Sequence, residues 1–523
     1  MPVPPTTASR STPFDSALLR TIIAATLVAA LLRLFRLGHQ SLWIDEQFSL
    51  AAAGVPGPIA WRDLLDNVHG PLHALAVALA AALGGTSEWV LRLPSALAGI
   101  ALVPAMAWLA ARWSGRETAA PAAWLTAGAP FLVWYSQECR NYAFLILASV
   151  LATAALLELQ RRCRTAGVLR YLAAAVAAAL SNLSFALLLP LHARLWLAAG
   201  PTRRERLVAL GVTAAALLLV LLPWLPAIGG IWDWSRLVRG GGAPAGEVAL
   251  RTGTTFHVAA VPFALHAFAM GYSGGPNLHE LRADPVAAVR AHVPELALAG
   301  VVFGVLGSLG LMAVARRRRL LDTGLWLVAP ALVVSYFAAH NFKVFHPRYV
   351  AVSLPCFLLV VAAAFADMGP RARRAWGLAV ALLWAGSLAR ATFEAKYGRE
   401  DYRGAMAEVR KHVAPGEVVL AVGAPEPVEW YGRGLDVKRL WLGFASQPAR
   451  LFSVMDDSLR GARGCWVVLS RPEDLDPTGQ FQKLVMDPHT SKGSENWNFS
   501  GVRVTHLWSR PDTTVAAPAP PRL

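Results

Sequence analysis

The chain has 523 residues, of which 55% are hydrophobic and only 16% are charged, against roughly 25% charged residues in soluble domains. This composition excludes an ordinary soluble globular enzyme. The formal net charge is +16, but the basic residues lie in short clusters between apolar blocks. No basic stripe is interleaved with aromatic residues, so membrane orientation explains the charge better than nucleic-acid binding does.

Apolar blocks of roughly 15 to 22 residues, almost free of charge, predict an all-α polytopic membrane protein with about 11 transmembrane helices. A polar, Pro-rich segment at 1–16 precedes the first block and is predicted to be a cytoplasmic tail without a cleavage site. The stretch 70–84 is too short for a full crossing and is predicted not to span. The predicted spans are 17–37, 90–111, 118–136, 142–159, 168–182, 183–199, 206–226, 295–315, 321–340, 347–367 and 374–391.

Five Arg clusters between these blocks predict the orientation, because basic residues in short loops mark the cytoplasmic side. All five fall on one face only if the N-terminus is inside and 70–84 does not cross. The clusters are Arg112 and Arg116; Arg161, Arg162, Arg164 and Arg170; Arg203, Arg204 and Arg206; Arg316 to Arg319; and Arg371, Arg373 and Arg374. The opposite face of the cell (inner) membrane then receives the loop 38–89 and the long segment 227–294.

Beyond the membrane-spanning part, predicted to cover 17–394, the composition changes. Charges reappear in 395–511, where GEVVLAVG, CWVVLS and VRVTHLWS predict strands and EDYRGAMAEVRKHV predicts an amphipathic helix. We therefore expect a small C-terminal α/β extracytoplasmic domain, followed by a disordered tail at 512–523.

The strongest local pattern is SLWIDEQFS, in which Asp45 and Glu46 follow the first span and are flanked by aromatic residues. A carboxylate that resists full hydration at a membrane interface is suited to act as a base. The alternative is a solvated acidic loop with an aromatic anchor.

Three further patterns lie on the same predicted face. HGPLH places His69 and His73 four residues apart, which suits simple interfacial or substrate contacts better than a metal, since no acidic residue stands at a matching helical position. Arg140 lies in a turn between two spans, where an ionisable side chain must be paired or face water. Its functional role would be to bind an anion or the loop carboxylates; the alternative is a structural pair with Glu138.

The sequence NFKVFHPRYV gathers Lys343, His346 and Arg348 at the predicted outer mouth of two spans. Pro347 is well placed to open a helix there. A helix N-terminus together with cationic side chains favours a phosphate. Binding to lipid headgroups is the alternative.

The remaining features carry less information about function. A Gly-rich segment at 269–281 matches no phosphate-binding fingerprint, and it is interpreted as a mobile loop that covers a site. The cysteines have neither zinc-site nor disulfide spacing, so they are interpreted as packing residues. They are Cys139, Cys163, Cys356 and Cys465.

Taken in order, the motifs LWIDEQFS, HGPLH, WVLRLPSALAG, VWYSQECRNYA and FHPRYVAVSLP resemble the C-type, membrane-embedded glycosyltransferases. The resemblance is to the protein O-mannosyltransferases and lipid A aminoarabinose transferases, which take sugar from a polyprenyl phosphate. It implies that Asp45 is the base, that Glu46 supports it, and that Arg140 supports this acidic centre. It also implies that Lys343 and Arg348 contact the lipid-linked phosphate.

The chemistry is consistent with that resemblance. Displacement of a sugar from a lipid phosphate needs a base near the acceptor hydroxyl and positive charge at the departing phosphate. A single attack from the opposite side would invert the anomeric centre, and Arg and Lys supply the charge without a required metal or other cofactor. The expected partners are membrane lipid, a polyprenyl-phosphate-linked sugar and an unidentified glycan, lipid or protein acceptor.

Two other classes of function remain as alternatives. A lipid or glycan transporter, or flippase, would carry ionisable groups near the bilayer midplane and show repeat symmetry. A membrane scaffold would leave the clustered motifs unexplained.

Overall fold

In the computed structural model the chain forms two units, which are described separately. Unit 1 comprises Met1–His39, Ser49–Leu278 and Val286–Glu394, and unit 2 comprises Gln40–Phe48, His279–Pro285 and Ala395–Leu523. The structure describes residues 15–59, 64, 70–161, 165–198, 203–224, 259–277, 280–281, 284–340, 345–440, 462, 464–470 and 494–508. The predicted disordered tail at 512–523 and most of the segment 227–294 lie outside these residues.

The described secondary structure of unit 1 consists of helices joined by turns and loops. Its helices are α1 (Ser16–Leu34), α2 (Ile44–Ala52, which begins in unit 2), α3 (Pro71–Gly84), α4 (Glu88–Trp113), α5 (Ala119–Gly128), α6 (Pro130–Ser136), α7 (Tyr142–Arg161), α8 (Thr165–Ala179), α9 (Leu189–Leu197), α10 (Arg203–Leu221), α11 (Ala260–Met270), α12 (Pro285–Ala291), α13 (Val293–Arg316), α14 (Leu320–Ala339), α15 (Leu354–Asp367) and α16 (Pro370–Phe393). Short 3₁₀ helices cover Arg116–Thr118, Leu183–Leu188, Leu222–Trp224 and Pro347–Ser353.

Seven helical stretches among the described residues are long and apolar enough to cross a membrane. They are Ser16–Leu34, Glu88–Trp113, Tyr142–Gln160, Val293–Arg316, Leu320–Ala339, Pro347–Asp367 and Pro370–Phe393. Shorter apolar helices include Pro71–Gly84, the stretch predicted not to cross. The prediction of a polytopic helical membrane protein is therefore confirmed.

Two prolines mark helix starts in the predicted spans, and one of them explains an interrupted span. The predicted span 118–136 is divided into α5 and α6 at Ala129, directly before Pro130. Pro130 occupies the first turn of α6, where its missing N–H needs no partner. Pro347 likewise opens the 3₁₀ helix Pro347–Ser353, as predicted, and that helix continues into α15.

Ion pairs bring the ends of several unit 1 helices to one face. Arg116 forms an ion pair of 2.5 Å with Asp15, the N-cap of α1. Arg317, after α13, contacts Glu117 at 3.2 Å and Asp367, at the end of α15, at 2.6 Å. Two of the predicted basic clusters therefore share a face with the start of α1.

The Gly-rich segment differs from its prediction as a mobile cover. Its described residues 269–277 are almost entirely buried. Ser273 donates to the carbonyl of Ser387 in α16 at 2.8 Å, and the indole of Trp384 donates to Ala269. The prediction was wrong because small polar residues are typical of exposed loops, whereas the small residues of this segment fit between helices.

Unit 2 contains a small α/β fold, which confirms the predicted C-terminal domain type. Its five-stranded sheet has the order β2-β1-β3-β5-β4, with the first three strands parallel and the others antiparallel. The strands are β1 (Glu417–Val422), β2 (Val437–Leu440), β3 (Gly464–Ser470), β4 (Ser494–Phe499) and β5 (Val502–Trp508), and the helices are α17 (Tyr402–His412) and α18 (Pro425–Tyr431).

The core of unit 2 explains why β1, β3 and β5 were predictable and β2 and β4 were not. β1 and β3 are nearly continuous apolar runs that are buried on both faces. One sheet face contacts the apolar side of α17, where Tyr402, Met406 and Val409 are buried. β2 and β4 are polar edge strands, which carry no clear hydrophobic pattern.

Candidate functional site

The acidic pair lies in the first turn of α2, in the part of that helix that belongs to unit 2. Glu46 is completely buried, and its Oε2 accepts a hydrogen bond from the backbone N–H of Trp43 at 3.4 Å. This contact resembles half of a capping box. Asp45 is only partly buried. The two carboxylates therefore differ, because Glu46 caps its own helix while Asp45 retains access from outside.

In unit 1, the turn that carries Arg140 is connected to α3 and α4 by a chain of hydrogen bonds. Ser95 donates its hydroxyl proton to the Arg140 carbonyl at 2.9 Å. The same oxygen therefore accepts from His73 Nε2, which lies 3.1 Å away. The Arg140 guanidinium donates to the hydroxyl of Ser49 at 3.1 Å and is almost fully buried. The second His of HGPLH thus supports the predicted Arg turn.

The glycine of HGPLH is required by close backbone packing. A Cβ at Gly70 would lie 2.0 Å from the carbonyl oxygen of Leu180. The N–H of Leu72 donates to that same carbonyl at 3.1 Å. On the other side of this contact, Asn141 donates to the carbonyl of Ser181 at 2.6 Å. The motif and the Arg140 turn are thereby attached to the same connection after α8.

A buried arginine that was not predicted as a site residue holds the other end of the turn. Arg33 is inaccessible to solvent and donates to the Thr126 and Ala127 carbonyls at 3.0 and 2.9 Å and to the Ser136 hydroxyl at 3.2 Å. These carbonyls are left without helical partners where α5 ends. Gln137 caps α1 in return, by donating to the Leu32 and Phe35 carbonyls.

The predicted mouth at 345–350 forms a cationic and aromatic corner. His346 caps the 3₁₀ helix Pro347–Ser353, since its Nδ1 accepts from the Arg348 N–H at 3.2 Å. The Arg348 guanidinium lies 5.3 Å from the ring centre of Tyr349 and donates to its hydroxyl at 3.4 Å. Arg348 is half-buried. A guanidinium with its planar set of N–H donors is suited to bind an anion.

Tyr272, from the Gly-rich segment, joins the mouth to the Arg140 turn. Its hydroxyl is 2.8 Å from that of Tyr135, and its ring centre is 6.0 Å from that of His346. The structure therefore brings together two motifs that are about 200 residues apart in the chain.

Tyr135 and Tyr272 are the site residues that the sequence reasoning missed. Tyr135 lies in the motif VWYSQECRNYA and Tyr272 in the Gly-rich segment 269–281, but a tyrosine in an apolar block is commonly a packing residue. Their mutual contact was not visible in the spacing. His69 and Lys343, two predicted substrate contacts, lie outside the described residues. No group of three or more potential metal ligands occurs among the residues the structure describes.

The sequence of this chain matches the family model of dolichyl-phosphate-mannose-protein mannosyltransferases over residues 68–229. That stretch contains HGPLH and the Arg140 turn. No curated protein matches the chain significantly.

Several solved structures are similar over most of the chain. ArnT from Cupriavidus metallidurans in the apo state is 15% identical with a TM-score of 0.58, covering 94% of this chain and 98% of that one. The same protein bound to undecaprenyl phosphate gives 14% identity, the same coverage and a TM-score of 0.56.

A second similar structure is the archaeal oligosaccharyltransferase AglB from Archaeoglobus fulgidus, in complex with an inhibitory peptide and a dolichol-phosphate. It is 14% identical with a TM-score of 0.53, over 96% of this chain and 75% of that one. The resemblance predicted from the motifs is thus confirmed for the fold: this chain has the fold of the C-type membrane glycosyltransferases.

Proposed function

We propose that the chain is a membrane glycosyltransferase that moves a sugar from a polyprenyl phosphate to an acceptor hydroxyl on the extracytoplasmic side of the cell membrane. The observation that carries the proposal is the polar cluster in unit 1, where Tyr272 joins Tyr135, next to the Arg140 turn, to His346, next to Arg348. The fold supports it, since ArnT and AglB of that fold have been solved with undecaprenyl phosphate and dolichol-phosphate.

The departing phosphate is assigned to the cationic corner at Arg348. The half-buried guanidinium and the hydroxyl of Tyr349 are donors. Donors placed in advance at the site of growing negative charge stabilise a transition state more than a ground state. Lys343 is proposed to act with Arg348 at the same phosphate.

The base is assigned to Asp45. Glu46 is buried and accepts the Trp43 N–H, which suits it to hold the helix start in place. Asp45 is one residue nearer the helix N-terminus and is partly exposed, so an acceptor hydroxyl can approach it. In the transfer, Asp45 takes the hydroxyl proton, the acceptor oxygen bonds to the anomeric carbon, and the bond from that carbon to the phosphate oxygen breaks. One displacement inverts the anomeric centre.

The test uses membranes from a strain of the source organism that lacks this chain. Such membranes should contain unused polyprenyl-phosphate sugar together with the native acceptor. Purified protein is added after solubilisation in detergent, and mass spectrometry follows conversion of the lipid-linked sugar to polyprenyl phosphate. A transporter has no substrate gradient in detergent, so conversion there supports a transferase and its absence in the wild type refutes one.

Asp45→Asn should reduce this conversion at least about 100-fold, because general-base catalysis typically contributes a factor of 10² to 10⁴. The matched control is Glu46→Gln, whose side-chain oxygen can still accept the Trp43 N–H. We expect a smaller loss in the control. Full activity of a correctly folded Asp45→Asn protein would contradict the assigned base.

A further inference from the structure

We propose, on the basis of the function proposed above, that the C-terminal domain is a positioning module for the acidic helix. In this view Tyr431 and Ser41 are positioning residues that hold the backbone just before Asp45. The first indication of this role is the unit to which the start of the acidic helix belongs. Gln40–Phe48 belongs to unit 2 with Ala395–Leu523, although about 350 residues separate the two segments in sequence.

Ser41 makes the first specific attachment. Its hydroxyl donates to the carbonyl of Glu400 at 2.6 Å and accepts from the N–H of Tyr402 at 3.1 Å. Only 2% of Ser41 is exposed. One side chain therefore uses both its donor and an acceptor to bind two backbone groups at the start of α17.

The receiving end of α17 is itself fixed within the domain. Asp401 caps α17 by accepting from the N–H of Gly404 at 2.9 Å, and its own N–H donates to the carbonyl of Ser500 at 2.8 Å. Ser500 lies in the turn between β4 and β5. The Ser41 attachment is thus made to backbone that is connected to both the helix and the sheet.

Tyr431 makes the second attachment. Its hydroxyl accepts the backbone N–H of Leu42 at 2.7 Å. Its own carbonyl accepts from the Arg410 guanidinium at 2.9 Å, which joins the end of α18 to α17. A tyrosine held at both its ring and its carbonyl is a rigid partner, so the hydrogen bond defines where the backbone of Leu42 lies.

Apolar packing completes the anchor. Trp43 and Ile44 pack against the core cluster that contains Tyr402, Met406 and Trp466. Asp45 is the next residue in the chain after Ile44. Four consecutive residues before Asp45 are therefore held by the domain, the first two by hydrogen bonds and the other two by apolar contact. Misplacing a reacting group by about 1 Å can cost 10²-fold in rate, which gives this anchoring a catalytic consequence.

The experiment compares the full-length wild type with Tyr431→Phe and Ser41→Ala. The matched control is Thr505→Val, which removes a hydroxyl that donates to Asn496 Oδ1 at 2.7 Å within the sheet. All four proteins are tested in the conversion assay described above, and their hydrogen exchange is measured by mass spectrometry in peptides that cover 40–48 and β1.

For Tyr431→Phe we expect the Leu42 amide to exchange about ten-fold faster, as for loss of one hydrogen bond. Exchange in β1 should not change. We expect kcat to fall about ten-fold with an unchanged KM for the lipid-linked sugar. Ser41→Ala should give the same pattern, and Thr505→Val should leave kcat within two-fold of the wild type.

Unchanged exchange of Leu42 in Tyr431→Phe would overturn the anchor. Faster exchange with a kcat equal to that of Thr505→Val would overturn the positioning role. Failure of the proposed function has a different signature, because the wild type would then convert no lipid-linked sugar while the exchange measurements still report on the anchor.

Discussion

One buried ionisable side chain from each unit, Arg33 and Glu417, is stabilised in a different way. In unit 1, Arg33 is fully buried and is held by carbonyl oxygens at the end of α5 and by the Ser136 hydroxyl. In unit 2, Glu417 is paired with His506 at 2.9 Å, with side-chain exposures of 7% and 4%. Helix ends in a membrane unit leave carbonyls that require donors. Glu417 lies at the start of β1, and its carboxylate is held by the Trp466 indole, the His506 ring and the Ala414 N–H.

Packing between elements shows the same contrast. In unit 1, Gly310 of α13 lies against backbone of α15, where an added Cβ would be 2.1 Å from the Val360 carbonyl oxygen. In unit 2 large side chains interlock, and the Trp466 ring stacks on that of His506 with centres 4.0 Å apart. At these two positions, the close contact in unit 1 is made to backbone and the one in unit 2 is made between rings.

The largest loss of stability is expected for Arg33→Ala, which tests the role of the buried arginine in unit 1. The substitution leaves the Thr126 and Ala127 carbonyls without their donor, and it should lower the free energy of unfolding by about 3 kcal/mol. The measurement is the thermal stability of purified protein in detergent. Arg20→Ala is the control, since Arg20 is exposed on the same helix. Equal stability of the two variants would break the claim that unit 1 depends on this contact.

A smaller decrease in the free energy of unfolding, about 2 kcal/mol, is expected for Gly310→Ala, because the new methyl group forces α13 and α15 apart. Gly304→Ala is the matched control in the same helix, where a Cβ would meet nothing within 4 Å. It should be neutral or slightly stabilising, since Ala favours helices over Gly. The same thermal assay separates the two, and similar values for both would argue against close backbone packing.

The smallest decrease in the free energy of unfolding, about 1.5 kcal/mol at pH 7, is expected for Glu417→Gln, because the substitution removes a hydrogen bond to a charged group. Burial acts to raise the pKa of Glu417, but hydrogen bonds from the Ala414 N–H, Trp466 and His506 outweigh it and lower the pKa below 4.5. The charged form therefore stabilises the domain above pH 4.5, and this contribution is lost as the pH falls through the lowered pKa.

The difference in stability between Glu417→Gln and the wild type should accordingly disappear in acid. This difference is measured between pH 3 and 7 by hydrogen exchange of β1, corrected for the intrinsic pH dependence of exchange. Glu408→Gln, which loses a surface pair with Lys411, serves as control and should match the wild type throughout. A difference that grows on acidification would contradict the assigned charge state.

Much of the fold was predictable because the bilayer requires long apolar helices. Hydrophobicity alone indicated α4, α7, α13 and α14. The strands β1 and β3 were equally clear, since buried central strands are apolar throughout. Short motifs in a fixed order indicated the family resemblance, and the Arg140 turn and the mouth at Arg348 do share one cluster.

What the sequence determined by itself is local: which segments are apolar enough to span or to form a central strand, and which motifs carry charge. Only the tertiary structure decided that Tyr272 joins two distant motifs, that Arg33 caps α5, and that Gln40–Phe48 belongs with the C-terminal domain. The physical reason is that hydrophobic patterning acts between neighbours in sequence. A hydrogen bond such as that between Leu42 and Tyr431 depends on a position that exists only after the chain has folded.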